Sequence, residues 1–282
     1  MTVAPAFQEF GRDILKRGTG EIGMHLHAWN SPPAFSLTDD DFHHEPYLVE
    51  YPEAVMRQKV RFMTDLLQET FGVRMVSHRA GRWAMNTTYA RILVEHGYRT
   101  DCSVTPHVSW KRKLGNPLGP GGTDYSLFPS SEYFLDLDDL SRPGTSSLLE
   151  VPVTIFSGRG PVNRMLPAAL RSARVVLEGL ERALHARWFR PSLRNRDDML
   201  RILDLVERDG RSYVEFVLHS SELMPGGSPT FKTERDIEVL YESLEVVFEA
   251  ARGRFQGATL AEHQQAFVAR QHLAPATRSG AA

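Results

Sequence analysis

The stretch EIGMHLHAWN, from Glu21 to Asn30, decides how the fold is interpreted. Apolar residues alternate with His25, His27 and Trp29, and such alternation predicts a β-strand in which every second side chain points to the same face. The two imidazoles and the indole should therefore share one side near the carboxyl end of this strand. Two converging imidazoles can bind zinc or a similar metal; alternatively, one bonds to the backbone while the other lines a cleft.

Strands and helices alternate along much of the chain. The residues that predict further strands are 73–81, 98–106, 147–156 and 212–222, and those that predict helices are 7–18, 52–72, 86–97, 168–188, 192–210, 233–253 and 256–270. Gly18, Gly72 and Gly97 fit the ends of three of these helices, and Asn86 fits the start of one. This order predicts an α/β fold with a parallel sheet and crossover helices.

Two long connections interrupt the alternation. Residues 30–52 are rich in proline and acidic side chains, and residues 110–146 carry many glycines, prolines and serines. A connection as long as the second is usually functional, so we expect it to contain short strands and to contribute to a site. Because no repeat or clean linker divides the chain, we expect a single domain over residues 1–270 and a flexible tail over 271–282.

Composition excludes several classes of protein. The 282 residues are 41% hydrophobic and 24% charged, as in a soluble globular protein with a large core. A formal net charge of -2 gives no overall field that would attract nucleic acid. No apolar run is long enough for a membrane span, and the N-terminus does not resemble a signal peptide. Cys102 is the single cysteine, which excludes an internal disulfide, and we expect a cytoplasmic protein.

Three further motifs place reactive side chains after predicted strands. In SHRAGRW, Arg79 and Arg82 flank a small turn, where a guanidinium can hold a carboxylate; two surface arginines are the alternative. In FVLHSSE, His219 could act as a general acid or be a hydrogen-bonded core histidine. In DCSVTPHVSW, Asp101 could orient a ligand or an arginine. Each motif therefore supplies a candidate site residue.

Aromatic side chains accompany these motifs. The rings of Trp29, Trp83 and Trp110 could stack on the apolar faces of sugars, although each could equally fill the core.

Taken together, these stretches resemble the polysaccharide deacetylase family, the NodB homology domain of carbohydrate esterase family 4. EIGMHLHAWN is similar to the family's strand with metal-binding histidines, and SHRAGRW to its arginine motif. YRTDCSVTP is similar to the segment after the next helix, and FVLHSSE to the motif with the catalytic histidine. The resemblance covers residues 21–267 and is strongest to a bacterial branch linked to lipopolysaccharide and surface-polysaccharide biosynthesis.

The resemblance implies a distorted (β/α) barrel that removes acetyl groups from an N-acetylated carbohydrate. It also implies a divalent metal, commonly zinc, that polarises the N-acetyl carbonyl and activates water. His25 would be a metal ligand, His219 the catalytic acid and Arg79 the tether of the catalytic base, while Asp101 matches a family position by context alone. The residues expected to contact substrate are Trp29, Arg82, Trp83 and Trp110.

The metal motif departs from the family pattern at one position. Trp29 occupies the place of the second metal histidine and cannot bind a metal. His27 would substitute, since it shares a face with His25. The other candidates are His43, His44 and His78.

The family's first strand, which carries the catalytic base and a metal-binding aspartate, has no counterpart before Glu21. The one aspartate there, Asp13, lies within a predicted helix. We therefore expect a barrel that is incomplete at its N-terminus, a weakly held metal and impaired catalysis. An unpaired sheet edge could also support a homo-oligomer.

Two other functions stay open. A paralogue without the catalytic base could bind carbohydrate or act as a scaffold without catalysing a reaction. A different barrel metallohydrolase could use His25 and His27 with an acid from residues 38–45.

Overall fold

The computed structural model of the protein describes residues 2–157 and 186–273. Its main sheet contains β1 (Ser77–His78), β2 (Thr100–Asp101), β3 (Tyr133–Phe134) and β4 (Leu149–Glu150), in the order β1-β2-β4-β3. β1, β2 and β4 are parallel, and β3 is antiparallel to β4. The fold is mixed α/β, and the predicted parallel sheet is confirmed for β1, β2 and β4.

The predicted strand over residues 21–29 is much shorter in the structure. It makes one parallel bridge, from Met24 to His78, and then turns into a 3-10 helix at Ala28–Asn30. Its alternation nevertheless separates two faces, because the apolar side chains are buried: Met24, Leu26 and Ala28. The histidines lie on the opposite face, which borders the cavity described below.

A second sheet pairs β5 (Ile155–Ser157) with β6 (Ala186–Trp188) in antiparallel register. The strand predicted over residues 147–156 is therefore divided between two sheets. The helix predicted over residues 168–188 is wrong at its last three residues, which form β6, and its remainder lies outside the described residues. The strand predicted over 212–222 forms no regular ladder, and a 3-10 helix spans Ser220–Leu223.

Single backbone hydrogen bonds extend the β5–β6 sheet. Phe189 N donates to Thr154 O at 3.0 Å, and Val217 N donates to Phe189 O at 3.2 Å. We call residues 21–30 the Met24 segment and residues 212–219 the Val217 segment. Within residues 2–157 and 186–273, no backbone hydrogen bond joins these two segments. A closed sheet is therefore not detected there, and the predicted barrel is not confirmed.

Seven helices are described along the chain. They are α1 (Pro5–Arg17), α2 (Asp41–His44), α3 (Glu53–Phe71), α4 (Thr87–Glu95), α5 (Arg196–Arg208), α6 (Glu234–Ala251) and α7 (Leu260–Leu273). All except the one-turn α2 match predicted helices. Gly18 and Gly72 end α1 and α3 with φ of 62° and 69°, and the Asn86 side chain caps α4 through Tyr89 N at 2.8 Å, as predicted. None of the described helices is long and apolar enough to cross a membrane.

Four clusters of buried apolar residues are described. The largest packs α3 and α4 against the Met24 segment and the main sheet, and the next packs α5 against α6. The Glu21 carboxylate accepts hydrogen bonds from Leu260 N at 3.1 Å and Ala261 N at 3.4 Å. This carboxylate caps the start of α7, where the exposed N–H groups favour an anion. It thereby ties α7 to the segment that carries the two histidines.

Candidate functional site

A cavity of about 280 Å³ lies where the Met24 segment, β1 and His219 at the end of the Val217 segment meet. Its lining consists of His25, His27, Tyr47, Arg79, Ala80, Arg82, Trp83, Trp110, Lys113 and His219. Seven of the nine residues expected at a site line this one cavity. Trp29 and Asp101 do not.

The two histidines of the opening stretch face each other in the cavity. His25 Nδ1 lies 2.8 Å from Arg79 O, and because a carbonyl can only accept, Nδ1 carries the proton. His25 Nε2 is then an acceptor when the ring is neutral, and it lies 3.1 Å from His27 Nε2. Trp29 packs behind this pair, with its ring 4.6 Å from the ring of His27.

The second nitrogen of His27 has no partner. Nδ1 is buried and makes no hydrogen bond within the described residues. If His27 Nε2 donates to His25, the Nδ1 lone pair is buried without a donor. If Nδ1 carries the proton instead, two lone pairs face each other across 3.1 Å. A cation between the two Nε2 atoms would remove that repulsion.

The histidine pair fits part of a metal site. Two nitrogens bound to a tetrahedral zinc at 2.0–2.1 Å lie ~3.3 Å apart, close to the separation of the Nε2 atoms. A catalytic zinc usually has three protein ligands, however. No group of three or more His, Cys, Asp or Glu residues suited to a metal occurs in residues 2–157 and 186–273. Among the described residues, the pair supplies two ligands of such a set.

The other candidate metal histidines lie outside the cavity lining. His43 and His44 pack against each other in α2, with ring centroids 4.9 Å apart. His78 is buried, and its two nitrogens contact the Asp101 carboxylate at 2.5 Å and the Tyr89 hydroxyl at 2.7 Å.

The histidines of the cavity are kept neutral by their surroundings. Burial, with the nearby Arg79 charge, lowers the pKa of His25 to about 3 and that of His27 to about 4. Burial and Arg190 also lower the pKa of His219. Neutral imidazoles can accept protons or bind metal, because each keeps a lone pair.

The tautomer of His219 follows from its neighbours. Arg190 Nη2 donates to His219 Nδ1 at 3.1 Å, so Nδ1 is the acceptor and the proton lies on Nε2. Arg190 also pairs with Glu222 at 2.7 Å. The Glu222 carboxylate in turn accepts a hydrogen bond from the backbone N–H of His219 at 2.9 Å. These contacts fix the ring and leave Nε2–H as its remaining polar group.

Arg79 brings an unneutralised charge to the cavity. Its guanidinium lies over the Trp83 ring, 5.1 Å from the centroid, and the residue is half-buried. In the part of the chain that the structure describes, this guanidinium makes no hydrogen bond or ion pair. It is therefore available to a ligand.

Arg82 links the two long connections. Its guanidinium donates to Glu45 O and, at 3.1 Å, to Leu114 O, and it lies 4.2 Å from the centroid of the Tyr47 ring. Arg82 and Trp83 have φ of 53° and 63°, a left-handed conformation that is unusual for residues with side chains. Such strained backbone is frequent at functional sites. Arg82 therefore fixes the position of both loops beside the cavity.

Gly81 explains how this turn fits against the Met24 segment. A Cβ at this position would lie 2.2 Å from Leu26 O and 3.3 Å from His27 Nδ1. Only a glycine allows the arginine motif to approach the histidines this closely.

Asp101 lies in the core beside the cavity. Its carboxylate contacts His78 Nδ1 at 2.5 Å and accepts from the Ser103 hydroxyl at 2.8 Å. Burial alone would raise the pKa of Asp101, but His78 and the hydrogen bonds outweigh it and lower that pKa. The nearby Glu150 shows the opposite balance, since burial and the Asp101 charge raise its pKa. The catalytic role predicted for Asp101 stays a prediction.

Glu215 is a further acid close to the site, and the residue is half-buried. Its Oε2 is buried without a hydrogen-bond partner in the described residues, and burial raises the pKa of this carboxyl to about 8. Glu215 therefore keeps its proton at neutral pH. It does not neutralise the charge of Arg79.

Comparison with solved structures gives distant similarity. No protein-family model matches the chain, and no curated protein matches it. A crystal structure of a Mycobacterium smegmatis protein, provisionally named a polysaccharide deacetylase, is 18% identical in sequence and aligns with a TM-score of 0.47. The alignment covers 98% of this chain and 71% of that one. The chemistry of the site is therefore argued from its own residues.

Three lining residues were not among the predicted site residues: Tyr47, Ala80 and Lys113. Lys113 lies in the basic run Lys111 to Lys113, directly after Trp110, and that run was an available signal. Tyr47 offers no comparable signal. It reaches the cavity because its hydroxyl donates to Lys113 O at 2.7 Å.

Proposed function

We propose that this cavity is the active site of a metal-assisted hydrolase of the deacetylase type, acting on an N-acetylated sugar such as a surface-polysaccharide precursor. One observation carries the proposal: His25 and His27, with Nε2 atoms 3.1 Å apart, line the same cavity as His219. Acyl transfer from an amide needs an electrophile for the carbonyl and a proton for the departing amine. The three imidazoles are suited to those needs.

Each residue has a role under this proposal. His25 and His27 would hold a divalent cation, zinc being the usual choice for imidazole ligands; such an ion polarises a carbonyl and lowers the pKa of bound water. The Nε2–H of His219 would hydrogen-bond to the departing nitrogen of the amide, and the proton that the amine gains would come from the water that attacks the acetyl carbon. The half-buried Trp110 offers a ring face for the sugar, whereas Trp83 is buried and Arg79 lies over its ring.

Among the described residues, the cavity lining includes no Asp or Glu side chain that could act as a general base of the family type. A positioned general base typically contributes 10²–10⁴-fold to rate. We therefore propose a low turnover, and a metal held weakly by two nitrogens.

A described lining without Asp or Glu also favours a second candidate, a carbohydrate-binding protein that does not catalyse a reaction. It would use the aromatic and cationic lining of the cavity and would not need a base. A sugar bound without release of acetate would distinguish it from the hydrolase.

The experiment measures acetate released from N-acetylglucosamine oligosaccharides, with and without added zinc. Three proteins are compared: the wild type, His219→Gln, and His272→Gln as a matched control on an exposed position of α7. The proposal expects slow release that requires zinc and is lost in His219→Gln but not in His272→Gln. Calorimetry with the same oligosaccharides is run in parallel. Binding without release would select the second candidate, and neither binding nor release would refute both.

The wider predictions from sequence belong to this proposal as well. They are the deacetylase-type barrel lacking its first strand, the link to lipopolysaccharide biosynthesis, the cytoplasmic location and the homo-oligomer through a sheet edge.

A further inference from the structure

Among the described residues, the cavity lining contains cationic side chains but no anionic ones. Arg79, Arg82 and Lys113 contribute three cations, and the lining within the described residues contains no carboxylate to oppose them. The three histidines are neutral at physiological pH for the reasons given above. The cavity therefore carries a positive charge that its own walls do not cancel.

Four acids lie near residues of the cavity lining. Asp101 contacts His78, and Glu222 pairs with Arg190. Glu50 accepts backbone N–H groups of Tyr47 at 2.7 Å and Asn116 at 3.0 Å. Burial raises the pKa of Glu215, which favours its neutral form. None of these four carboxyl groups makes an ion pair with the lining cations in the described part of the chain.

The three cations differ in how they are satisfied. Arg82 donates to the carbonyls of Glu45 and Leu114, which satisfy its N–H groups without cancelling its charge. Lys113 is exposed at the rim and makes no ion pair within the described residues. Arg79 is half-buried with no polar partner there, and a desolvated cation without a partner is costly to the folded protein. Arg79 is therefore the residue that a ligand would satisfy most.

We infer that the cavity selects a sugar that carries an anionic group, either a carboxylate or a phosphate. Arg79 binds two oxygens of this group with a bidentate pair of hydrogen bonds, and Lys113 attracts the group from the rim. A guanidinium matches the two oxygens of either group and stacks on an aromatic face, as Arg79 does on Trp83. The inference rests on the proposed function in taking the ligand to be a sugar, and it adds the charge of that sugar.

The test is calorimetry with four probes: N-acetylglucosamine, N-acetylglucosamine 1-phosphate, N-acetylmuramic acid and inorganic phosphate. At low ionic strength, we expect at least one of the two anionic sugars to bind about ten- to a hundredfold more tightly than N-acetylglucosamine, the range for a charge-assisted hydrogen bond. The preference should weaken as sodium chloride screens the charges. Weaker binding of inorganic phosphate would show that the sugar ring contributes.

Variants assign the preference to named residues. Arg79→Gln should abolish the preference for the anionic sugar, whereas Arg79→Lys should retain part of it. Lys113→Gln should reduce it about two- to fivefold, because an exposed charge is screened by water. Lys111→Gln is the matched control, since Lys111 pairs with Asp124 at 3.3 Å and does not line the cavity. Thermal unfolding of each variant shows whether it is folded.

The outcomes separate this inference from the proposed function. Equal affinity for N-acetylglucosamine and both anionic sugars would overturn the inference and leave the function standing. So would a preference that survives Arg79→Gln in a folded variant, or an equal effect of Lys111→Gln and Lys113→Gln. Tight, Arg79-dependent binding of an anionic sugar without acetate release would support the inference and count against the hydrolase.

Discussion

Glu215→Gln should stabilise the protein, and increasingly so as the pH rises. Burial raises the pKa of Glu215 from 4.5 to about 8, so the folded protein keeps a proton that the unfolded chain releases above pH 4.5. The free energy of unfolding therefore falls as the pH rises from about 4.5 to about 8. Glutamine is neutral in both states and has nearly the same shape. The variant should lose this pH dependence.

The magnitude follows from the difference in pKa. Between pH 4.5 and pH 7 the unfolded state gains 1.36 kcal/mol per pH unit over the folded state, which amounts to roughly 3 kcal/mol at pH 7. The replacement also loses the contact with the Cys102 thiol, which is a weak partner. The variant should therefore be more stable than the wild type by about 2–3 kcal/mol at pH 7 and about equal to it near pH 4.

The assay is urea unfolding of both proteins across that pH range, with Glu245→Gln on the exposed face of α6 as the control. The control should show no comparable pH-dependent gain. A stability difference that stays constant from pH 4 to pH 8 would refute the reasoning. It would mean that Glu215 is ionised in the folded protein, with Arg79 as its counterion.

Two further predictions concern the surroundings of the cavity. Asp101→Asn should destabilise the protein by roughly 3 kcal/mol in urea at neutral pH, because it removes one partner of the buried contact with His78; unchanged stability with lost sugar binding would instead place Asp101 in the site. Gly81→Ala should cost roughly 1–3 kcal/mol in the same assay, because the added Cβ would meet a backbone oxygen at 2.2 Å. Gly257→Ala, where nothing lies within 4 Å, is its control, and equal effects of the two would contradict the packing argument.

The helices could be predicted from sequence because their signals are local. The apolar period of α3 and the glycine at its end specify that helix without reference to the rest of the chain. The segment of residues 147–156 shows the limit of such signals. Its apolar run predicts one strand, yet it pairs with β2 before Pro152 and with β6 after it. Proline lacks the N–H that a continuous ladder needs.

His25, Arg79 and His219 line one cavity, as expected for residues that follow predicted strands. Asp101 follows the same pattern but lies next to His78 in the register between β1 and β2. That register depends on pairing between distant segments, which no local pattern encodes. The contribution of Tyr47 depends on packing between two long loops and was likewise not visible in the sequence, whereas the basic run after Trp110 was a signal for Lys113.

The bonds of Arg82 to both long loops have a consequence for how the site could diversify. One side chain holds the carbonyl of Glu45 in the first loop and that of Leu114 in the second. An insertion or deletion in either loop would move its carbonyl away from this shared donor and release the other loop as well. We therefore expect the lengths of the two loops to co-vary among related proteins, with Arg82 retained where both keep their present form.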